Sequence, residues 1–205
     1  MTAVSVCVST YGAKEWEDRG IATADAAYRY LKRPNGMGVK AFEVSHVHLN
    51  EGTLAQARNL AAEEARCTWL VFLDADDSLN ANYVEGVLAG HGDLRQPKTT
   101  FCDPNDVSRK TAPEFLPAWP SLFDNNWMVI GTAVRRSMFL DVGGFRELPA
   151  WEDWDLWLNC WQNANAVIGK APRAIYHVGP VLLSGRNMKT VGNQELHDEI
   201  ARRYR

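Results

Sequence analysis

The stretch that decides the fold is Val71-Phe72-Leu73-Asp74-Ala75-Asp76-Asp77, a short apolar run that ends abruptly in three carboxylates. The apolar run predicts a buried strand, so the acids lie at the edge of a sheet, where open α/β folds bind ligands. Carboxylates this close repel one another unless a cation shares them. Mg²⁺ and Mn²⁺ bind such oxygens and keep room for phosphate oxygens. The stretch therefore indicates a metal-assisted reaction on a phosphorylated substrate; a solvated turn or helix cap is the alternative.

Apolar patterns around this strand predict an alternating fold. Val4–Val8 is a continuous apolar run, helical spacing follows it, and Val39–Leu49 has the pattern of an extended segment. Thr53 and Gln56 form a capping-box pattern that opens a second helix, and Asn80 is placed to cap a third. This alternation of strands and helices predicts parallel crossovers and an α/β sheet.

The second half of the chain has a less regular pattern. We expect strands at 99–102, 126–135 and 166–178, a proline-rich loop at 104–120, a helix capped by Ser137, a helix through Trp154–Trp161, a mobile loop at 184–192 and a terminal helix with Leu196, Ile200 and Tyr204 on one stripe. No repeat or linker interrupts the pattern. Residues 1–205 are therefore predicted to form a single domain.

Composition and charge place the chain among ordinary globular proteins. It is 46% hydrophobic and 23% charged, and its net charge of -3 gives no global attraction to nucleic acid or anionic membranes. The four cysteines lack metal or disulfide spacing, and no secretory signal or membrane-length apolar run is visible. We expect a cytoplasmic protein without a membrane segment. The sequence gives no indication of the oligomeric state.

Four motifs follow one another in a suggestive order. They are Ser9-Thr10-Tyr11, Asn50-Glu51-Gly52 followed by Ala57-Arg58-Asn59, Asp74-Ala75-Asp76-Asp77, and Gly143-Gly144-Phe145-Arg146-Glu147 followed by Trp151-Glu152-Asp153-Trp154-Asp155. This succession resembles the family 2 glycosyltransferases with a GT-A fold, over most of the chain. The resemblance implies one Rossmann-like α/β domain with a mixed, mostly parallel sheet flanked by helices. Residues 1–100 would form the donor half, and residues 101–205 the acceptor and catalytic half with a C-terminal loop and helix.

The resemblance implies a site for a nucleoside-diphosphate sugar. Thr10, Tyr11 and Arg58 are its implied donor contacts, and the Arg58 guanidinium would bind phosphate in a bidentate manner. Asp74 would lie near the ribose. Asp76 would ligate a Mn²⁺ or Mg²⁺ ion that bridges the two phosphates and stabilises the leaving diphosphate.

Further donor and metal contacts follow from the same resemblance. His177, after a predicted strand, would complete the metal site; a structural histidine is the alternative. Asp77 would either join the coordination or cap the next helix. Arg186 and Lys189 would fold over the diphosphate and exclude water, unless they belong to an ordinary exposed loop.

The resemblance also implies the catalytic pair. Asp153 would be the general base that removes the acceptor hydroxyl proton as the oxygen attacks the anomeric carbon, in an inverting, hexosyltransferase-type reaction. Glu152 would orient the acceptor. Desolvation beside several tryptophans would raise the pKa of Asp153. The alternative is that Glu152, Asp153 and Asp155 are first-turn acids favoured by the helix dipole.

One part of the family pattern is missing. The region that carries an acid for the nucleobase in the family reads Ser45–Asn50 and contains no aspartate, so the base stays open. His46 or His48 would take that contact, or would lie on an exposed face. The tryptophans 119, 127, 151 and 154 would stack on a sugar or base, or form core. The acceptor is not indicated: a saccharide, a protein or a modified nucleic acid fits the pattern.

Two other functions compete with a glycosyltransferase. A sugar-phosphate nucleotidyltransferase would need a glycine-rich loop with a lysine after the first strand, whereas Ser9–Lys14 offers one glycine and one lysine. A non-catalytic nucleotide-sugar-binding module is the other alternative. The presence of Asp74, Asp76 and Asp153 argues against it.

Overall fold

A single mixed sheet organises the chain. The computed structural model describes residues 3–32, 42–103, 106–111, 122–179 and 193–205. Within these ranges the strands of the sheet are β1 (Val4–Tyr11), β2 (Phe42–Leu49), β3 (Trp69–Leu73), β4 (Ser78–Leu79), β5 (Leu94–Asp103), β6 (Asp106–Thr111), β7 (Ala133–Arg135) and β8 (Ile168–Val178). The helices of the same ranges are α1 (Lys14–Leu31), α2 (Leu54–Glu64), α3 (Tyr83–Ala89), α4 (Arg136–Asp141), α5 (Glu152–Asn163) and α6 (Asn193–Tyr204).

The strand order is β2-β1-β3-β7-β5-β8-β4, and β6 pairs with β5 beside this path. The long pairings are parallel: β1 pairs with β2 along its whole length and also with β3, and β5 pairs with β8. The antiparallel pairings each join only two to four residue pairs. The sheet is therefore mixed and mostly parallel, as predicted, and it includes strands from both halves of the chain.

The burial of β3 in the core explains why its sequence is continuously apolar. All five residues of β3 are buried, and β1 is buried from Val4 to Thr10. A parallel sheet with helices on both faces requires such runs. The largest fully buried side chains include Trp69, Trp154 and Trp157. Because β1 and β3 are parallel, both carboxyl ends lie at one edge of the sheet, directly before the acids.

Most predicted helices are confirmed, and one cap is confirmed in detail. The Thr53 side chain accepts from the Gln56 amide at 3.2 Å, and the Gln56 side chain accepts from the Thr53 amide at 3.1 Å. The cap predicted at Asn80 is wrong, because α3 begins later. The Asn80 side chain instead bonds the backbone of Arg173 and Ile175 on β8. A tertiary contact thus takes the place of the cap.

Three expectations for the second half are corrected. The strand predicted at 126–135 is only β7, because Asn126 accepts from the Met128 amide and turns the chain before it. Part of the loop predicted at 104–120 is β6, whose proline-free sequence pairs with β5. Helix α4 starts after Arg135, so Ser137 lies inside it and does not cap it.

Some expectations fall elsewhere in the chain. Trp119, Arg186, Lys189 and the whole of the loop predicted at 184–192 lie outside the described residues. Within the described ranges, the model contains no helix with the length and apolar character needed to cross a membrane.

Candidate active site

The acid turn, defined as Asp74–Asp77, follows β3 and is anchored from both sides. Inside the turn, the Asp77 amide donates to the Asp74 carbonyl at 3.0 Å. From α1, the Thr23 hydroxyl donates to the Ala75 carbonyl at 2.7 Å. From β8, the buried Tyr176 hydroxyl accepts from the Asp74 amide at 3.3 Å and contacts the Asp77 carboxyl. These bonds keep three carboxyl groups crowded at the sheet edge.

Burial and crowding raise the pKa values of two of these acids, an effect that a bound cation would reverse. One ligand oxygen from each of Asp74, Asp76 and Asp77 lies within 4.8 Å of the others. Burial and the nearby Asp74 charge raise the pKa of Asp76, and the same two causes raise the pKa of Asp77 to about 7. Three hard oxygen donors at this spacing fit Mg²⁺ or Mn²⁺. Asp77 also accepts from the Gly179 amide at 2.7 Å, so it anchors β8 and does not cap a helix.

His177 lies beside the acid turn but not within its carboxylate cluster. In the β4–β8 pairing it lies opposite Ser78, the residue that directly follows Asp77. Its Nδ1 lies 2.7 Å from the Thr100 hydroxyl. The ligand role of His177 stays a prediction.

Arg58 connects the acid turn to the other predicted acids. It lies on α2 with only 3% of its side chain exposed. Its Nη2 donates to Asp74 at 2.6 Å and its Nη1 donates to Glu152 at 2.6 Å. Burial alone would lower the pKa of Arg58, but the two carboxylates outweigh it and raise the pKa. A phosphate contact by Arg58 stays a prediction, and the contacts seen make Arg58 a bridge between the acid turn and α5.

Asp153 lies in the first turn of α5 and is part-buried. Its carboxylate accepts from the Trp154 amide at 2.8 Å and from the Asn126 side chain at 3.1 Å. Burial and the neighbouring Glu152 charge raise the pKa of Asp153 to about 7, while Arg58 and the two hydrogen bonds oppose the shift. A carboxyl group with a pKa near neutrality can accept a proton at physiological pH. The predicted effect of desolvation on Asp153 is therefore present.

The predicted donor contacts at the end of β1 lie at the same edge. Thr10 is buried, and its hydroxyl lies 2.9 Å from His46 Nε2 and 3.0 Å from His48 Nδ1. Burial and then the His48 charge lower the pKa of His46. A Cβ on Gly20 would overlap the His46 ring, so a glycine fits there without displacing it. The histidines thus form a part-buried cluster with Thr10 instead of an exposed face, while Tyr11 is exposed; donor binding by Thr10 and Tyr11 stays a prediction.

Sequence reasoning assigned no role to several residues whose contacts shape the candidate site. The sequence pattern places Tyr176 in a strand, now β8, and indicates no contact with the acid turn. Asn59 follows Arg58 and exchanges two hydrogen bonds with the Phe145 backbone, at 2.8 and 2.9 Å. These bonds hold the Phe145 ring beside the Arg58 guanidinium, whose Cζ lies 5.3 Å from the ring centroid. Among the tryptophans, Trp154 is core, whereas Trp127 and Trp151 are part-buried.

Comparison with known proteins gives one sequence family. Residues 22–125, more than half of the chain, match the family described as Glycosyl transferase family 2. No curated protein matches the chain.

Solved structures give the fold. The crystal structure of S. aureus TarS 1-349 is similar with a TM-score of 0.61 and 15% identity, over 100% of this chain and 70% of that chain. Its complex with UDP-GlcNAc has a TM-score of 0.61 and 16% identity, over 98% and 64% of the two chains. GalNAc-T7 with UDP, GalNAc and Mn²⁺ has a TM-score of 0.52 and 15% identity, over 87% and 44%. The chain spans 43% of a longer TarS chain. These likenesses confirm the predicted GT-A fold.

Proposed function

This chain belongs to glycosyl transferase family 2, and from that membership we propose that it moves a sugar from a nucleoside-diphosphate sugar to an acceptor hydroxyl. The observation that carries the proposal is the Arg58 bridge. One buried side chain joins Asp74 of the acid turn to Glu152, the neighbour of Asp153. In this proposal the group that binds the donor and the group that orients the acceptor lie one side chain apart, a proximity that favours direct displacement.

The proposed chemistry uses Asp153 as the general base. Its carboxylate takes the proton of the acceptor hydroxyl while that oxygen forms a bond to the anomeric carbon. The bond from the anomeric carbon to the diphosphate oxygen breaks on the opposite face, so the sugar configuration inverts. Glu152, held by Arg58, orients the acceptor beside the base. The raised pKa of Asp153 supports this assignment, because the group takes up a proton readily near pH 7.

The proposed metal site is the acid turn. Asp74, Asp76 and Asp77 offer oxygen ligands at a spacing that suits a divalent cation, and the raised pKa values of Asp76 and Asp77 report the charge crowding that such an ion would relieve. When bound, Mn²⁺ or Mg²⁺ would supply Lewis-acid stabilisation of the departing diphosphate. We propose Asp76 as its principal ligand and His177 as a candidate additional one.

The proposed donor is a UDP-hexose. Support comes from the neighbours in fold, whose structures hold UDP-GlcNAc, or UDP with GalNAc and Mn²⁺. In this proposal residues 1–100 bind the donor through Thr10, Tyr11 and Asp74, and residues 101–205 carry the acceptor and catalytic groups.

Replacing Asp153 by asparagine tests the base assignment. The variant keeps the shape of the side chain but cannot accept a proton, so donor binding should persist while the turnover rate falls about 10²–10⁴-fold. UDP release from UDP-GlcNAc in Mn²⁺, with water as the acceptor, measures turnover, and thermal shift measures binding. Asp141→Asn, on the exposed end of α4, is the matched control.

The same measurements separate the competing functions. Turnover near the wild-type rate in Asp153→Asn would show that another group is the base. A wild-type protein that binds nucleotide sugars without metal and releases no UDP from any of them would be a binding module and not a transferase. Release of pyrophosphate from UTP and a sugar phosphate would indicate a nucleotidyltransferase.

A further inference from the structure

The turn that presents Asp153 starts from a strained residue. Trp151, immediately before α5, has φ 62° and ψ 18°, in the left-handed region that bulky side chains rarely adopt. Its side chain makes no capping hydrogen bond to the helix. Such strain persists only where surrounding contacts over-determine the conformation. The contacts that hold Trp151 in this conformation therefore also bear on the position of Asp153.

Helix α6 supplies contacts at the Trp151 end of the turn. The Trp151 indole donates to the Asn193 carbonyl at 3.3 Å. The His197 ring stacks on Trp154 with centroids 4.4 Å apart and planes 20° apart, and its centroid lies 5.5 Å from that of Trp151. Two tryptophans that flank Asp153 are thus packed against one residue of α6.

Helix α6 also holds the other end of the turn, at Asp155. This carboxylate is 1% exposed and accepts from Arg203 at 2.9 Å and from the Tyr204 hydroxyl at 3.0 Å. Arg146 completes the set at 3.0 Å and also donates to the Tyr204 oxygen. Burial and the Asp155 charge raise the pKa of Tyr204 to about 12, so its hydroxyl stays a donor at neutral pH. A buried carboxylate depends on such partners.

We propose that α6 fixes the first turn of α5, and that His197, Arg203 and Tyr204 are positioning residues for Asp153. The two attachment points, Trp151 and Asp155, stand on either side of the base, so the turn cannot shift without breaking one of them. The inference rests on the proposed function, in which Asp153 is the base. It gives a positioning role to residues that lie more than 40 positions after Asp153 in the sequence and touch no reacting atom.

The kinetic test compares neighbouring arginines of α6. Arg203→Gln removes a partner of Asp155, whereas Arg202→Gln is a matched control, because Arg202 is exposed and its side chain, among the described residues, bonds only the Asp198 carbonyl of its own helix. For UDP release from UDP-GlcNAc in Mn²⁺, we expect Arg203→Gln to lower kcat at least tenfold, with the donor KM within twofold of wild type. Its kcat should also fall off at lower pH than in wild type, because a loosened turn hydrates Asp153 and lowers its raised pKa.

A merely structural role would look different. Loss of folded protein reduces kcat by one factor at every pH and leaves the position of the acid limb unchanged. An acid limb that stays in place in Arg203→Gln, at a temperature where the variant is folded, overturns the positioning role.

A second measurement does not depend on turnover. Amide hydrogen exchange of peptides covering 151–155 should be faster in Arg203→Gln and in the milder Tyr204→Phe than in wild type or Arg202→Gln. Equal exchange in all four proteins overturns the inference. If exchange responds as expected but the wild-type protein releases no UDP from any nucleotide sugar, the proposed function fails while the attachment of α6 to the turn stands.

Discussion

Replacing Arg58 by methionine removes the charge that bridges two acids while keeping much of the side-chain volume. Arg58 is 3% exposed, and each of its terminal nitrogens lies 2.6 Å from a carboxylate. Removing one partner from a buried ion pair costs about 3–5 kcal/mol, because the other charge stays buried. The Asp74 side chain is 33% exposed and can regain water, whereas Glu152 is only 13% exposed. We therefore expect a loss at the lower end, about 3 kcal/mol of unfolding free energy.

Urea unfolding followed by tryptophan fluorescence measures this loss directly. In a thermal scan, the same change lowers Tm by about 6–12 °C for a chain of this size. Arg29→Met is the matched control, because Arg29 is exposed on α1 and, within the part of the chain that the structure describes, its side chain bonds only the Asp25 carbonyl of its own helix. That control should change the unfolding free energy by about 0.5 kcal/mol or less.

A double variant tests the reason for the loss. Arg58→Met combined with Glu152→Gln removes the less exposed of the two charges left unpaired, so the double variant should be more stable than the sum of the single effects by about 1 kcal/mol or more. A loss under about 1 kcal/mol in Arg58→Met would refute the bridge as a buried ion pair. Strict additivity in the double variant would show that Glu152 is not the charge that Arg58 balances.

Two further predictions concern the base and the acid turn. In Asn126→Ala, loss of the hydrogen bond that lowers the pKa of Asp153 should raise that pKa further above about 7. The rate of UDP release should therefore begin to fall at a higher pH than in wild type as the pH is lowered. An unmoved pH–rate profile would contradict the role of Asp153. In Tyr176→Phe, loss of the hydroxyl that holds Asp74 and Asp77 should weaken Mn²⁺ binding about 10–100-fold by calorimetry, and unchanged affinity would show that the turn holds its own shape.

Local patterns were sufficient for the elements whose stabilising contacts are themselves local or periodic. β1 and β3 were predictable because a strand buried on both faces must be apolar throughout. The Thr53 cap was predictable because its partner is three residues away. The extent of β7 and the role of Asn80 were not predictable, since both depend on pairing partners far along the chain, such as Ile175 for Asn80.

By itself, the sequence determined the α/β class and the acid turn after β3, because each is carried by a run of neighbouring residues whose spacing has chemical meaning. Asp153 became the candidate base only through the resemblance to family 2 glycosyltransferases. Only the tertiary structure decided how these parts meet. Arg58 reaches Glu152 across 94 positions, and Tyr204 reaches Asp155 across 49. Whether a charged side chain bridges two acids or positions a neighbouring turn depends on its burial and on its partner. The residues next to it in the sequence indicate neither.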